Sequence, residues 1–453
     1  MTSPARLAAL EALAAARRTG SYVAPQVERA ARAHGLSGPD HALAVLLAKG
    51  VTRTMGTLDE ALGAFTRLEK LEPQVRDALR LAAFELLFLR TPPHAAVDEA
   101  VSSVRRRRPQ AAGLANAVLR RLAEKAPSFP WGDPAADPGA RARAAGCPRW
   151  LADRLVEELG QPAADESLAA LSSEPPVYAR IDVLRAGREE VLRSLDAEGA
   201  KATSAPPDDL ALRALDPAAL AQSDTLQSGA VFVADAGAQF AALQAAVMGT
   251  TRFAEVGAGR GTKTLTVLGK LSAVGPLPAV LAVEPNAARA RQLRERLNRS
   301  GACDLDVIVA DVQSLPPDSL SEPRVQADVV LVDAPCTGTG TLRRHPEAVW
   351  RITPEDAERL SVLQREILAA SARLVRPGGL LVYSTCSVLT AENESVVRAF
   401  LDSPIGEGFA AAALEPPPPS GWERFVTSDG FFRSWPTPDG PDGHFVARFR
   451  RMA

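Results

Sequence analysis

Apolar positions recur at helical spacing through the first 125 residues. Leu7, Leu10 and Leu13 begin the series, and with Glu11 among them they predict the first helix of a domain rather than a transit peptide. VRDALRLAAFELLFLR (75–90) is apolar around most of its circumference, as the central helix of a bundle would be. TPPH (91–94) stops it. Val97, Val101 and Val104 share one face of the next helix. Leu114, Val118 and Leu122 align on the helix over 113–124. Prolines then cluster in 126–140 and predict a linker, drawn over 126–145. Residues 146–230 mix the two periods. PPVYARIDVL (175–184) reads as a strand, and REEVLRSLDAEG (188–199) as a helix ending at Gly199, so a small α/β connecting unit is expected.

From residue 231 to 453 a third domain is expected. Its pattern becomes strand, turn, helix, repeated. RFAEVGAG (252–259), AVLAVEP (279–285), LDVIVAD (305–311), ADVVLVDAP (327–335) and GGLLVYSTC (378–386) are apolar runs. Helical segments such as ARARQLRERLNRSG (288–301) separate them. Continuous apolar strands alternating with helices predict a Rossmann-like parallel sheet covered on both faces. Ligands of such sheets bind beyond the carboxyl ends of the strands. Each run does end in polar groups: Glu255 and a Gly turn, Glu284, Asp311, Asp333 with Cys336, and Cys386.

Composition narrows this without changing it. At 453 residues, 46% hydrophobic and 23% charged, the chain reads as a soluble globular protein of two or three domains. No apolar run approaches a membrane span. The four cysteines, Cys147, Cys303, Cys336 and Cys386, lack metal or disulfide-framework spacing, so no metal is expected and a reducing cytoplasm is the natural home. The net charge of -2 hides a division. Residues 1–150 hold 22 Lys and Arg against 14 Asp and Glu; the remainder holds 30 against 40. A basic module on an acidic body suggests a polyanionic partner, although Arg-rich helices are often merely solvated faces.

EVGAGRGTKT supplies the candidate cofactor turn: Gly257, Ala258, Gly259, Arg260, Gly261, Thr262 and Lys263. The glycines permit a tight turn and close approach of a ligand. It is not a P-loop, because Thr262 stands where glycine must precede Lys263. Glu284, ending the next strand, can accept both hydroxyls of a ribose, and Asp311 is placed to meet an adenine edge. With Asp333 these groups suit S-adenosylmethionine better than a dinucleotide. Taken singly, each is as readily a solvated strand-end acid.

A buried cysteine is by default a small apolar filler, and Cys147 and Cys303 are read so. Cys336 and Cys386 instead end strands in the cofactor crevice. One chemistry that needs a thiol there is methylation at C5 of cytosine. A thiolate added to C6 makes C5 nucleophilic; a base then removes the C5 proton and the thiolate leaves. A second cysteine can assist release, and Asp333 can bind the exocyclic amine and N3. An unperturbed thiol is mostly protonated at neutral pH, so the attacking one needs nearby positive charge from Lys263, a bound sulfonium or an Arg such as Arg344.

DAPCTGTGTLRRHPEAVWR and YSTCSVLTAENESVV resemble the two cysteine motifs of the Sun (Fmu) family of RNA cytosine-5 methyltransferases. LLFLRTPPHAAVDEAV and RRPQAAGLANAVLRRL resemble the NusB-like RNA-binding domain of that family, which would make residues 1–125 that domain. The resemblance spans essentially the whole chain, and its nearest members modify a cytidine of bacterial 16S ribosomal RNA. It implies Cys386 as nucleophile and Cys336 in product release, with Asp333 and Lys263 beside them, S-adenosylmethionine as cofactor, and 16S ribosomal RNA or other structured RNA as partner. A monomer is expected. The cofactor turn departs from the family pattern DLCAAPGGKT: Glu255 replaces Asp, Gly257 replaces Cys, Arg260 replaces Pro and Thr262 replaces Gly. The family's RVN appears as RID (180–182) and its QDxAS as ADAGA (234–238). Two alternatives stand beside this reading: the same chemistry on transfer RNA, and an RNA-binding assembly factor with a degenerate methyltransferase domain.

Overall fold

Prolines and capping residues set the helix boundaries of the N-terminal part. In the computed structural model, which describes residues 3–301, 304–322 and 325–452, this part is one of two units and comprises residues up to Ser172 together with Leu342–Thr353. Pro4, Pro73, Pro93 and Pro138 each open a helix, where a missing N–H costs nothing. Ser3 caps the first helix, Pro4–Thr19, and Gly20 ends it at φ +66°.

Pro73–Leu87 is the central helix. Val75, Ala78, Leu79 and all of 81–87 are buried on it. Gly50 on the helix Gly38–Arg53 admits the Phe84 ring, which a Cβ there would meet at 2.1 Å. Burial extends to Glu85, whose carboxylate takes a two-point contact from Arg6 at 2.5 and 3.1 Å. On Pro93–Arg107, Val97, Val101 and Val104 are buried as the sequence predicts, and Arg105, Arg106, Arg107 and Arg108 are exposed beyond them. On Ala112–Lys125 the alignment is corrected. Leu114 is 41% exposed, and the buried stripe is Ala115, Val118, Leu119 and Leu122. Steps of four residues advance about 400°, so a 114–118–122 series drifts across the face and its first member falls outside the buried arc.

The proline-rich stretch after this helix is packed. Phe129 meets Phe88 and Trp131 with ring centroids 5.2 Å apart in each case, and the Trp131 indole donates to the Lys125 carbonyl. Leu342–Thr353 belongs to the same unit through Trp350. Its indole lies where a Cβ on Gly56 would sit and donates to the Arg53 carbonyl at 2.5 Å. Glu347 accepts from the Val23 amide at 2.6 Å.

The second unit holds two sheets. β1 (Tyr178–Ile181), β2 (Ala202–Ser204), β3 (Ala211–Ala214) and β4 (Val231–Val233) form an antiparallel sheet in the order β2-β3-β1-β4. The helix Arg188–Ala197 buries Val191 and Leu195 in a core with Ile181, Leu212 and Val231. Within this unit the RID motif is structural. Arg180 is 1% exposed and paired with Asp208 at 2.8 and 3.1 Å, and Asp182 accepts from Ser300 at 2.6 Å.

The larger sheet contains the five strands read from the sequence: β5 (Arg252–Val256), β6 (Ala279–Val283), β7 (Leu305–Ile308), β8 (Ala327–Asp333) and β9 (Val375–Thr385). They run parallel in the order β7-β6-β5-β8-β9. The sheet is mixed overall. β12 (Phe445–Arg451) pairs antiparallel with β9, and β10 (Phe409–Ala412) and β11 (Phe432–Arg433) pair antiparallel with β12. Strand order reverses between β5 and β8, which makes their carboxyl ends the crevice for a ligand. Among the described residues, no helix is long and apolar enough to cross a membrane.

The Arg6–Glu85 pair generates one expectation. Arg6→Ala leaves the carboxylate of Glu85, itself 1% exposed, without its counter-charge. The expected loss is about 3 kcal/mol, read from urea denaturation followed by circular dichroism.

Candidate active site

Three left-handed glycines build the turn that leaves β5. Gly257, Gly259 and Gly261 have φ of +77°, +57° and +80°, where side chains with a Cβ are strained. Gly257 is required twice over, because a Cβ there would lie 2.2 Å from the Asp333 carbonyl oxygen. The turn of β5 thus passes directly over the end of β8. Gly261 caps the helix Thr262–Leu271. Ala258 is buried, and Arg260 is exposed. Thr262 accepts from Arg296 at 2.9 Å.

Glu284, 3% exposed at the end of β6, closes this turn. One carboxylate oxygen accepts from Gly259 N at 2.8 Å, the other from Asn286 N at 2.9 Å. Asp311 stands apart. It is exposed beyond β7, and its carbonyl accepts from Ser314 N at 3.0 Å.

Lys263 on the first helical turn meets Asp333 at 2.6 Å. Burial disfavours the ammonium charge, but the Asp333 carboxylate outweighs it and raises the Lys263 pKa. Behind them Glu255 is 1% exposed and accepts from the Thr264 hydroxyl. Burial pushes its pKa from 4.5 up to about 8, against the opposing hydrogen bond.

The structure brings the two cysteines together. Cys336 Sγ and Cys386 Sγ are 3.3 Å apart, and Cys386 N also points at Cys336 Sγ at 3.3 Å. The pair is asymmetric. Cys386 is lowered from its ordinary value, first by the hydrogen bond from Cys336; Lys263 and the Thr341 hydroxyl add to this, while burial and Asp333 oppose it. Cys336 is raised well above its ordinary value by the same hydrogen bond, by burial and by the negative charges of Cys386 and Glu392. The surroundings thus favour ionisation of Cys386 over that of Cys336. Arg344 belongs with the Leu342–Thr353 segment of the helical unit.

Cys147 is buried, and burial pushes its thiol up to about 12, as befits a filler. Cys303 lies outside the described residues. No group of three or more His, Cys, Asp or Glu side chains among the described residues is placed to hold a metal.

Two participants escaped the sequence reading. Glu392 is wholly buried between the cysteine loops, and Gly340 exchanges hydrogen bonds that fix one of them. Gly340 N donates to the Cys386 carbonyl at 2.9 Å, and Gly443 N donates to the Gly340 carbonyl at 2.8 Å. A Cβ at Gly340 would lie 2.2 Å from the Gly443 carbonyl oxygen. The only sequence signal for Glu392 is its acidic character in ENE, six residues after Cys386, which reads equally as a solvated helix start.

Comparison with known proteins matches the layout of the chain. A NusB family model matches residues 3–124. A Methyltr_RsmF/B-like ferredoxin-like domain matches 147–219, and a 16S rRNA methyltransferase RsmB/F model matches 247–450. The chain is 31% identical over 404 residues to ribosomal RNA small subunit methyltransferase B of Pasteurella multocida (strain Pm70), covering 87% of this chain and 83% of that protein. It is 32% identical over 410 residues to the protein of the same name from Sodalis glossinidius (strain morsitans), covering 88% and 89%. The solved structure of PH0851 has the same fold, with a TM-score of 0.79 at 24% identity over 100% of this chain and 99% of that one.

The neutral Glu255 has a measurable consequence. The folded protein keeps a proton that the unfolded chain releases above its ordinary 4.5, so stability falls as pH rises from about 4.5 to about 8. The slope from this group is at most about 1.4 kcal/mol per pH unit. Glu255→Gln should flatten that part of the profile and raise the melting temperature at pH 8 relative to wild type, as read by calorimetry across the window.

Proposed function

Since the chain belongs to the RsmB/F family of RNA methyltransferases, we propose that it transfers a methyl group from S-adenosylmethionine to C5 of a cytidine in 16S ribosomal RNA, with Cys386 as the covalent nucleophile. The observation that carries this reading is the 3.3 Å pair of unlike sulfurs at the ends of β8 and β9. Two filler cysteines have no need to meet at strand exits beside the Lys263–Asp333 pair.

The cofactor residues fit the proposed ligand. The turn offers a cradle in which a Cβ on Gly259 would meet only the Gly257 carbonyl, at 3.9 Å. Each Glu284 oxygen already holds one backbone amide and keeps lone-pair capacity for a ribose hydroxyl. S-adenosylmethionine, when bound, supplies an electrophilic methyl group. Gly257, Ala258, Gly259, Arg260, Gly261, Thr262 and Lys263 form its turn in this proposal, with Glu284 at the ribose and Asp311 on the adenine side.

On the RNA side, Cys386 Sγ adds to C6 and forms an S–C6 bond, and the displaced electron pair makes C5 nucleophilic. Asp333, oriented by Lys263, accepts from the exocyclic amine, and from N3 once N3 takes a proton from solvent as the adduct forms. After C5 is methylated, a solvent base takes its proton, the C5–H electron pair restores the C5–C6 double bond, and the S–C6 bond breaks to return the thiolate. Cys336 assists that release. The base must leave its stack to reach the crevice, which favours an accessible loop cytidine. The proposed home is the cytoplasm and the proposed working form a monomer.

Bisulfite sequencing of ribosomal and transfer RNA, with and without the gene, tests the substrate. Loss of one 16S site is expected; loss confined to a transfer RNA would move the chemistry to that substrate, and no loss anywhere would favour a degenerate domain. The cysteines should give opposite phenotypes. Cys386→Ala should abolish methylation and any covalent RNA adduct. Cys336→Ala should trap the adduct as a denaturant-resistant, slow-migrating band on a gel. An adduct in the first variant and none in the second would reverse the roles.

We also assign RNA binding by residues 1–125 to phosphate contacts from the exposed Arg105–Arg108 and Arg120–Arg121. Affinity of the full chain for 16S ribosomal RNA should fall steeply with salt. Arg105→Glu together with Arg106→Glu should weaken binding and flatten that dependence, as measured by filter binding over a salt series.

A further inference from the structure

Glu392 is 0% exposed. It ends the short turn Thr390–Glu392 that follows the Cys386 loop. One carboxylate oxygen accepts from Thr337 N at 2.8 Å and from Gln364 Nε2 at 3.0 Å. The other accepts from Thr337 Oγ1 and Ser387 Oγ, both at 2.5 Å. Thr337 directly follows Cys336, and Ser387 directly follows Cys386. A single buried side chain therefore holds the residue next to each sulfur.

Thr339 Oγ1 accepts from Val388 N at 3.1 Å and lies 3.0 Å from Ser387 Oγ. Ser387 Oγ accepts from Leu389 N at 3.1 Å as well. An amide nitrogen at position 392 would stand where the Thr337 and Ser387 hydroxyls now donate, and it could accept from neither.

We propose that Glu392 is a positioning residue, a buried clamp that ties the Cys336 loop to the Cys386 loop and keeps the two sulfurs at hydrogen-bond distance. This rests on the covalent reading of the two cysteines. The charge of Glu392 acts in the same direction as its geometry. It faces Cys336 and disfavours a second thiolate there, whereas Lys263 and Asp333 act on Cys386. The clamp thus separates the roles of two otherwise identical side chains. Tyr383 braces it by donating to the Glu392 carbonyl at 2.7 Å. Asn393 closes the loop by donating to the Ser387 carbonyl at 2.9 Å and accepting from Thr385 Oγ1 at 2.6 Å.

The test compares full-length wild type with Glu392→Gln. Iodoacetamide alkylation of Cys336 and Cys386 is followed separately by peptide mass spectrometry across pH, beside methyl transfer to 16S ribosomal RNA. In wild type, Cys386 should react at markedly lower pH than Cys336. In the variant the two profiles should converge, with kcat at least about tenfold lower and KM for RNA unchanged. A folded Glu392→Gln protein with separate profiles and wild-type kcat overturns the proposal. Should that variant not fold, Thr337→Val decides. It removes one hydroxyl tether and keeps the carboxylate, so partial convergence supports the clamp and unchanged profiles overturn it. Converging profiles in the variant, found alongside a wild type that methylates no cytidine, would uphold the clamp and reject the covalent reading on which its purpose rests.

Discussion

The ion pair between Lys263 and Asp333 is the contact around which the catalytic unit is arranged. Lys263 stands on the first turn of a helix, the end at which the helix dipole disfavours a cation. Asp333, 2.6 Å away at the end of β8, offsets that penalty and the cost of burial. The pair can form only because β5 and β8 are neighbours, and only because Gly257 lets the intervening turn cross the Asp333 carbonyl. Its positive end then bears on Cys386. Sheet order, glycine geometry and thiol ionisation are in this sense one constraint.

The two cysteines lie in unlike electrostatic surroundings. Cys336 and Cys386 end adjacent parallel strands and are both half-buried. What distinguishes them is the charge on either side, Lys263 acting on Cys386 and Glu392 on Cys336. A neutral, buried Glu255 behind Lys263 fits the same scheme, since an additional carboxylate charge there would compete for the ammonium.

Much of this was legible in the sequence, for a physical reason. Continuous apolar runs ending in Glu284, Asp333 and Cys386 leave little choice but parallel strands with polar groups at their exits. The three glycines announce a turn that only they can make. The antiparallel strands β10 to β12 lay beyond the last functional run and went unread. Leu114 was placed inward because a four-residue step approximates the helical repeat only over a short span. Glu392 was illegible because its importance lies in partners 28 and 55 residues distant in sequence, Gln364 and Thr337. Burial of an acid is a property of tertiary structure, and ENE carries no local mark of it.

The helical unit is not continuous in sequence. Trp350 and Glu347 complete a body whose other residues end at Ser172. During synthesis the ribosome must therefore add roughly 180 further residues before that body has all its parts, which at about 5–20 residues per second is on the order of ten to forty seconds. Until then the surface around Gly56 that receives the Trp350 ring is exposed on a nascent chain. The order of translation thus makes the last step in maturing the helical unit wait for the segment that follows the Cys336 loop.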